Sequence, residues 1–368
     1  MNICGTEKYL SNRPGDFIPF FSICIPQYNR TDFLFRACET FESQNFEDFE
    51  LCISDDVSTD GRRGDLLNYL DKSGLIYTYA VTPRNLRYDG NLRSAIGLSN
   101  GRYVFLLGND DGLSDPDVLD CIRRKIAEFA PIGVAITNYR EVATGQTFRR
   151  VRRTGVLGSG PEMAAETFRN YSFIGGIVFE GARCRQEATD RVDGSEMYQM
   201  YLGTRLIAGG GRLLAIDRVC VDKDLQISGQ TVDSYRLKPR LTPCPIIKRL
   251  LPMGRLLEVV AAGLGPNTTR PGSEAHLLSV ARQLYLFTYP FWLFEFRRVQ
   301  SWRYAFGVLL ALSPRDVASG LALSRLGQMR LWLLYLLAGS AGLLVPIRFF
   351  DALRPKLYTV AKHMNSRR

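Results

Sequence analysis

Acidic pairs at the ends of apolar runs are the residues here best suited to chemistry. Asp110 and Asp111 follow VFLLGN, so two carboxylates emerge together from a buried strand. One or two carboxylates plus substrate phosphates commonly hold a hard divalent cation, and such an ion stabilises a diphosphate as it leaves. Gly108 and Gly112 flank the pair and permit close approach by a ligand. The same residues also suit a solvated turn or a helix cap. A second acidic turn, ISDDVSTDG at 53–61, puts Asp55 and Asp56 at a strand end. There they can accept hydrogen bonds from a base N–H or from ribose hydroxyls. The alternative is an Asx-turn in which Ser58, Thr59 and Asp60 cap the next helix. A third cluster, Pro26-Gln27-Tyr28-Asn29-Arg30, offers a ring, an amide and a guanidinium to stack on a base and bond its edge.

These clusters need elements to bring them together. Residues 20–26, 49–54, 75–81, 102–111 and 133–139 read as short, continuously apolar strands. Between them, 31–44, 62–72, 91–99 and 116–129 read as helices, the first with Thr31 or Asp32 as N-cap. Strand and helix alternating over short links predict an α/β, Rossmann-like, mostly parallel sheet flanked by helices. Ligands bind outside the carboxyl ends of such strands, and all three polar clusters fall there. Residues 140–160 read as an exposed hairpin or loop, 196–208 as an amphipathic helix closed by Gly209-Gly210-Gly211, and 212–222 as a late strand.

The 368 residues are 46% apolar and 23% charged, which excludes disorder, collagen and small disulfide scaffolds as whole-chain readings. Eight cysteines are scattered without CxxC or metal spacing, as expected of a reducing compartment. The N-terminus shows no basic n-region followed by an apolar h-region, so no signal peptide is expected. His276 and His363 are the two histidines, both late in the chain. Histidine triads and zinc sites in the first part are therefore excluded by composition.

Charge divides the chain. Residues 1–235 carry 27 basic and 32 acidic residues, whereas 236–368 carry 20 and 5, a net of +15. The later part opens with the Pro-rich basic link KPRLTPCPIIKRLLP and continues in Arg-flanked apolar stretches at 284–296, 304–312 and 331–347. Leu331–Ile347 is 17 residues long, at the lower limit for crossing a bilayer. Interfacial helices account for the pattern equally well, and the charge suits an anionic leaflet. Helices that bury one another in a soluble bundle are the alternative. Nucleic acid is not expected as a partner, because no recognised binding motif accompanies the charge.

SICIPQYNR, then ELCISDDVSTDG, then NLRYDGNLRSAIGLSNGRYVFLLGNDD resemble, in order and spacing, the nucleotide-sugar domain of family 2 glycosyltransferases. This is the inverting family with the GT-A fold. Within it the chain is most similar to transferases that build bacterial O-antigen and exopolysaccharide repeat units, including the abequosyltransferase-like group. The resemblance covers about residues 20–225. With the charge and apolar stretches of the later part, this divides the chain into an N-terminal extension at 1–19, a GT-A domain at 20–235 and an α-helical, membrane-associating region at 236–368. The resemblance implies an NDP-sugar donor, with a UDP-sugar favoured, and a divalent metal, Mn²⁺ or Mg²⁺. Pro26, Tyr28 and Arg30 fall to the nucleotide loop, Asp55 and Asp56 to the base, and Arg84, Asn85 and Asn91 to the segment facing the donor. Asn109 lies in the metal motif, with Asp110 and then Asp111 as ligands. Gly108 stands where the family's motif begins with an acid, which puts strong metal binding in question.

An inverting transfer needs a base for the acceptor hydroxyl, and without a histidine a carboxylate is expected. The family places it before a helix on the acceptor side. In DRVDGSEMYQMYL, Glu196 sits nearest that position and Asp193 is second. An ordinary first-turn acid favoured by the helix dipole is the other reading of Glu196. A lipid-linked (polyprenyl-diphosphate) glycan acceptor at the cytoplasmic face of the bacterial inner membrane would unite the two parts of the chain. The QxxRW motif of processive synthases is absent, which favours addition of a single sugar. A catalytically inactive GT-A scaffold is the alternative. A nucleotidyltransferase would need a Gly-rich phosphate loop where QYNR stands.

Overall fold

The first long apolar run, FSICIPQ, is buried almost throughout because helices cover it on both sides. A computed structural model describes residues 8–228, 230–231, 252–265, 273–321 and 323–353. In chain order the first part contains β1 (Lys8–Ser11), β2 (Phe21–Gln27), α1 (Thr31–Glu42), β3 (Phe49–Asp55), α2 (Arg63–Ser73), β4 (Tyr77–Val81), α3 (Arg87–Gly97) and β5 (Tyr103–Leu106). There follow β6 (Gly112–Leu113), α4 (Val118–Phe129), β7 (Val134–Glu141), β8 (Thr147–Phe148), β9 (Gly155–Gly158) and α5 (Gly160–Thr167). The sheet part closes with β10 (Ile177–Glu180), α6 (Gly181–Gln186), α7 (Tyr198–Ala208), β11 (Leu213–Lys223), β12 (Gln226–Ile227) and β13 (Gln230–Thr231).

The main sheet runs β1-β4-β3-β2-β5-β10-β7-β11-β6, with β8 on β7 and β9 on β11. Strands β4, β3, β2 and β5 are mutually parallel, so their carboxyl ends share one edge. Side chains alternate faces with period two. Cys24, Cys52 and Leu106 enter one apolar layer, and Ile23, Ile25, Leu51 and Ile53 enter the other.

Several elements differ from the sequence expectation. Residues 8–11 add an antiparallel edge strand to β4. Strand β10 lies antiparallel between β5 and β7, so the far half of the sheet is mixed. The strand expected over 102–111 stops at Leu106, and Gly108–Asp111 forms the turn beyond it. Helix α3 begins at Arg87 rather than Asn91, because the Asp56 carboxylate takes the Leu86 N–H at 2.6 Å and fixes the entry. Helix α7 begins at Tyr198, leaving Glu196 outside it. Arg30, not Thr31 or Asp32, occupies the N-cap of α1 in a left-handed conformation. The capping carboxylate comes from Asp60, which accepts from Thr31 N (3.1 Å) and Thr31 Oγ1 (2.6 Å).

The later part is helical: α8 (Leu256–Leu264), α9 (Ser273–Gln283), a π-turn at Leu284–Thr288, α10 (Tyr289–Val299), α11 (Trp302–Ala311), α12 (Pro314–Val317) and α13 (Arg325–Leu344). A last helix, α14 (Ile347–Leu353), leaves α13 at an angle of 107°. Among the described residues no single helix is long and apolar enough to cross a membrane. Residues 238–251 of the Pro-rich link and His363 lie outside the described residues. Helix α7 is buried on nearly every side, because α8 covers the face that the sheet leaves open.

Candidate active site

Gln27 organises the carboxyl edge. It ends β2 directly opposite Asp55 on β3, and it is fully buried. Its Oε1 accepts from Asn109 Nδ2 at 2.8 Å. Its Nε2 donates to the Asn29 carbonyl at 2.7 Å and to Thr31 Oγ1 at 3.2 Å. Its own carbonyl accepts from Asp56 N at 2.8 Å and from Asn91 Nδ2 at 3.0 Å. Through its side-chain amide and its backbone carbonyl, Gln27 thus joins the ends of three parallel strands to α3, and brings Asn91 and Asn109 to the loop at 26–30. Asn91 Oδ1 is buried and finds no partner among the described residues. Asn29 and Arg30 are both left-handed, with φ of 53° and 59°. That turn leaves Tyr28 exposed beyond the strand, while Pro26 stays partly buried within it.

The acids of the second cluster are committed inward. Asp55 accepts from Ser58 N at 2.7 Å and from the Tyr79 hydroxyl, and Arg63 Nε lies 3.6 Å away. Asp56 accepts from Thr82 Oγ1 at 3.0 Å as well as from Leu86 N. Burial raises the Asp56 carboxyl above its usual range, against the opposing effect of those bonds. Both acids brace the turns around the crevice. Arg84 and Asn85 stand exposed on the segment that Asp56 braces.

The third cluster gains a member that spacing does not reveal. Asp110, Asp111 and Asp224 are all buried and each offers a carboxylate oxygen, the three lying within 4.8 Å of one another. Asp224 follows β11, and its N–H donates to Asp111 Oδ1 at 3.1 Å, while Leu225 N donates to the Asp110 carbonyl at 2.8 Å. Its position, 113 residues from Asp111, leaves an acid at a strand end as its one sequence signal. Gly108 explains the departure from an acid-first motif. A Cβ there would stand 2.7 Å from Asp111 Oδ2 and 3.1 Å from Asp110 Oδ1, so a first acid would have to displace the two carboxylates that follow it.

Cations border the cluster. Arg30 Nη1 reaches Asp110 Oδ2 at 2.8 Å, and Lys223 pairs with Asp224. Burial, followed by the charge of Asp110, raises the Asp111 carboxyl well above its normal range. A group of mutually repelling hard oxygen donors suits Mg²⁺ or Mn²⁺ rather than a soft metal. The residues present therefore fit a divalent cation.

On the other side of α3, Asp89 is buried and accepts from Glu196 N (2.8 Å), Tyr198 N (3.1 Å) and Ser195 Oγ (3.3 Å). Burial raises its carboxyl above the usual range, and the bonds from Glu196 and Tyr198 work the other way. Glu196 is left-handed, with φ 59°, and exposed. It is therefore not the first-turn acid of a helix. Asp193 is held by both Arg93 guanidinium nitrogens, one at 2.8 Å, while Arg255 donates to its carbonyl at 2.6 Å. Of the two candidate bases, Asp193 pairs with Arg93 and Glu196 is exposed on a left-handed turn.

Residues 22–186 match the family model described as glycosyl transferase family 2. An abequosyltransferase of Salmonella typhimurium is 35% identical over 95 residues, 25% of this chain and 28% of that protein. A GalNAc(5)-diNAcBac-PP-undecaprenol beta-1,3-glucosyltransferase of Campylobacter jejuni is 27% identical over 96 residues, 26% of this chain and 31% of that protein. The matches thus span less than a third of these curated relatives. Among solved structures, Staphylococcus aureus TarS 1–349 in complex with UDP has a TM-score of 0.57 at 13% identity, covering 87% of this chain and 90% of that one. A Pyrobaculum calidifontis mannosyltransferase with GDP-Man and Mn²⁺ has a TM-score of 0.50 at 15% identity, covering 96% and 90%. These likenesses show the GT-A fold.

Proposed function

We propose that this chain, whose residues 22–186 match the family 2 glycosyltransferase model, is an inverting, metal-assisted transferase. It moves one sugar from an NDP-sugar, a UDP-sugar by preference, to a hydroxyl of a lipid-linked glycan in bacterial surface polysaccharide synthesis. The observation that carries the reading is the convergence of Asp110, Asp111, Asp224 and Arg30 at the carboxyl edge of the parallel strands. Support for the donor class comes from the UDP and GDP-Man of the structural neighbours. Support for the acceptor class comes from the undecaprenol-linked substrate in one relative's name. The protein would work at the cytoplasmic face of the bacterial inner membrane.

Asp110, Asp111 and Asp224 would hold a divalent cation, which when bound neutralises the diphosphate as it departs. Tyr28 stacks on the base at the mouth. Pro26, Asp55, Asp56, Arg84, Asn85, Asn91 and Asn109 shape the nucleotide side. Arg30 exchanges its bond to Asp110 for the donor phosphates, adding a fixed cation where charge develops. Glu196 accepts the proton of the acceptor hydroxyl as that oxygen attacks the anomeric carbon from the face opposite the diphosphate. The anomeric centre inverts and the nucleoside diphosphate leaves.

The test is calorimetry with UDP and Mn²⁺, followed by donor hydrolysis and transfer assays. Asp110→Ala should retain the fold and lose turnover, and unchanged turnover would reject the site. A protein that binds UDP with metal yet hydrolyses and transfers nothing would instead be an inactive scaffold.

A further inference from the structure

We propose that the outward face of α13, formed by Leu326, Met329, Leu333, Leu336, Leu337 and Leu344, lies on an anionic lipid surface. The proposal deepens the membrane-bound reading above and rests on it for its biological purpose. The helix is apolar on both sides. Leu331, Tyr335, Ala338, Gly342 and Leu343 form the buried side. The opposite side should be polar in a helix facing water. Instead Met329, Leu333, Leu336 and Leu337 are 53–68% exposed. Scattered surface leucines need no explanation, but a continuous stripe along a 20-residue helix marks an interaction face.

The helix is fastened so that it lies flat. At its start, Glu274 accepts from Ser324 N and Oγ at 3.0 and 2.7 Å. At its end, Arg297 donates to the Gly342 and Val345 carbonyls at 2.9 and 2.7 Å. Gly342 packs against Leu293 of α10 and Gly339 against Leu309 of α11 along the way. The helix is joined to its bundle from end to end, and the 107° bend into α14 means that the two do not form one straight span. Alongside, Trp302 and Phe306 of α11 stack at 5.6 Å and are exposed. Trp302 Nε1 donates to the Leu343 carbonyl at 3.2 Å. Aromatic rings with one polar edge favour the membrane–water interface.

Charge chooses the occupant. Arg325, Arg330 and Arg348 are exposed on this segment, and the nearest acids along the chain are Asp316 before it and Asp351, which pairs with Arg298. A symmetric second copy would set this basic rim against itself. Anionic headgroups complement the rim while acyl chains cover the leucines.

The test uses the full chain with phosphatidylglycerol–phosphatidylethanolamine vesicles, against vesicles of phosphatidylcholine alone. The wild type should sediment with the anionic vesicles in low salt and be partly released by high salt. The triple variant L333Q/L336Q/L337Q changes exposed side chains only. It should lose on the order of tenfold or more in partitioning, with UDP–Mn²⁺ binding unchanged. As a measurement independent of any variant, brominated phosphatidylglycerol should quench tryptophan fluorescence in the wild type. Wild-type protein left in the supernatant, equal partitioning by the folded triple variant, or absence of quenching would overturn the proposal. So would a dimer that the triple variant dissociates without any vesicle binding. Because vesicle binding needs neither donor nor acceptor, its failure is distinct from failure of the transferase reading.

Discussion

The Asp89 carboxylate accepts the backbone N–H of Glu196 at 2.8 Å, joining α3 to a turn 107 residues later. Removing a buried acceptor of three hydrogen bonds leaves its donors unsatisfied. Asp89→Ala should therefore cost about 3 kcal/mol of stability. Asp89→Asn keeps the shape but turns an N–H toward one of the donors. It should remain folded, lower kcat more than it changes donor KM, and lower transfer far more than donor hydrolysis. Equal losses in both activities would mean that Asp89 supports the fold alone.

Glu196 occupies a conformation that disfavours side chains by roughly 1–2 kcal/mol. Glu196→Gly should leave the melting temperature unchanged or raise it while abolishing transfer. Glu196→Gln, at the wild-type shape, should lower kcat by about a hundred- to ten-thousand-fold and spare UDP binding. If the Glu196→Gln variant keeps wild-type turnover, Asp193 becomes the base to examine, through Asp193→Asn.

Asp224 gives the metal reading a test that leaves the strand-end pair intact. Asp224→Asn should raise the Mn²⁺ requirement on the order of tenfold or more, read by calorimetry in the presence of UDP. Chelation with EDTA should stop transfer in the wild type, and added Mn²⁺ or Mg²⁺ should restore it. Metal titrations that coincide for wild type and variant would remove Asp224 from the site.

Restoring the family's missing acid should do harm. Gly108→Asp forces a Cβ to within 2.7 Å of Asp111 Oδ2. Even Gly108→Ala should destabilise by about 1–3 kcal/mol through overpacking, seen as a lower denaturation midpoint. Tighter Mn²⁺ binding by Gly108→Asp would contradict the view that Asp224 already fills this role.

Strands β2, β3 and β4 are legible because burial on both faces writes them as unbroken apolar runs. The meeting of their carboxyl ends follows from parallel topology and is equally legible. Strand β10 is not, since its four residues between Gly176 and Gly181 carry too short a pattern and become a strand by pairing with β5 and β7. Asp89 precedes the helix expected from Asn91, and its hydrogen-bond partners lie more than a hundred residues away. Glu196 reads as helix because EMYQMYL continues the helical pattern backwards. The tertiary bonds to Asp89 move the helix start to Tyr198. Asp224 stays hidden for the same reason: its neighbours are set by the path of β11, not by spacing.

Arg255, from the helical part, holds the carbonyl of Asp193 at 2.6 Å. The loop that bears Glu196 is thus clamped partly from outside the sheet. Shortening the protein to its sheet portion would release that clamp, so sluggish transfer by such a fragment would say little about the intact chain.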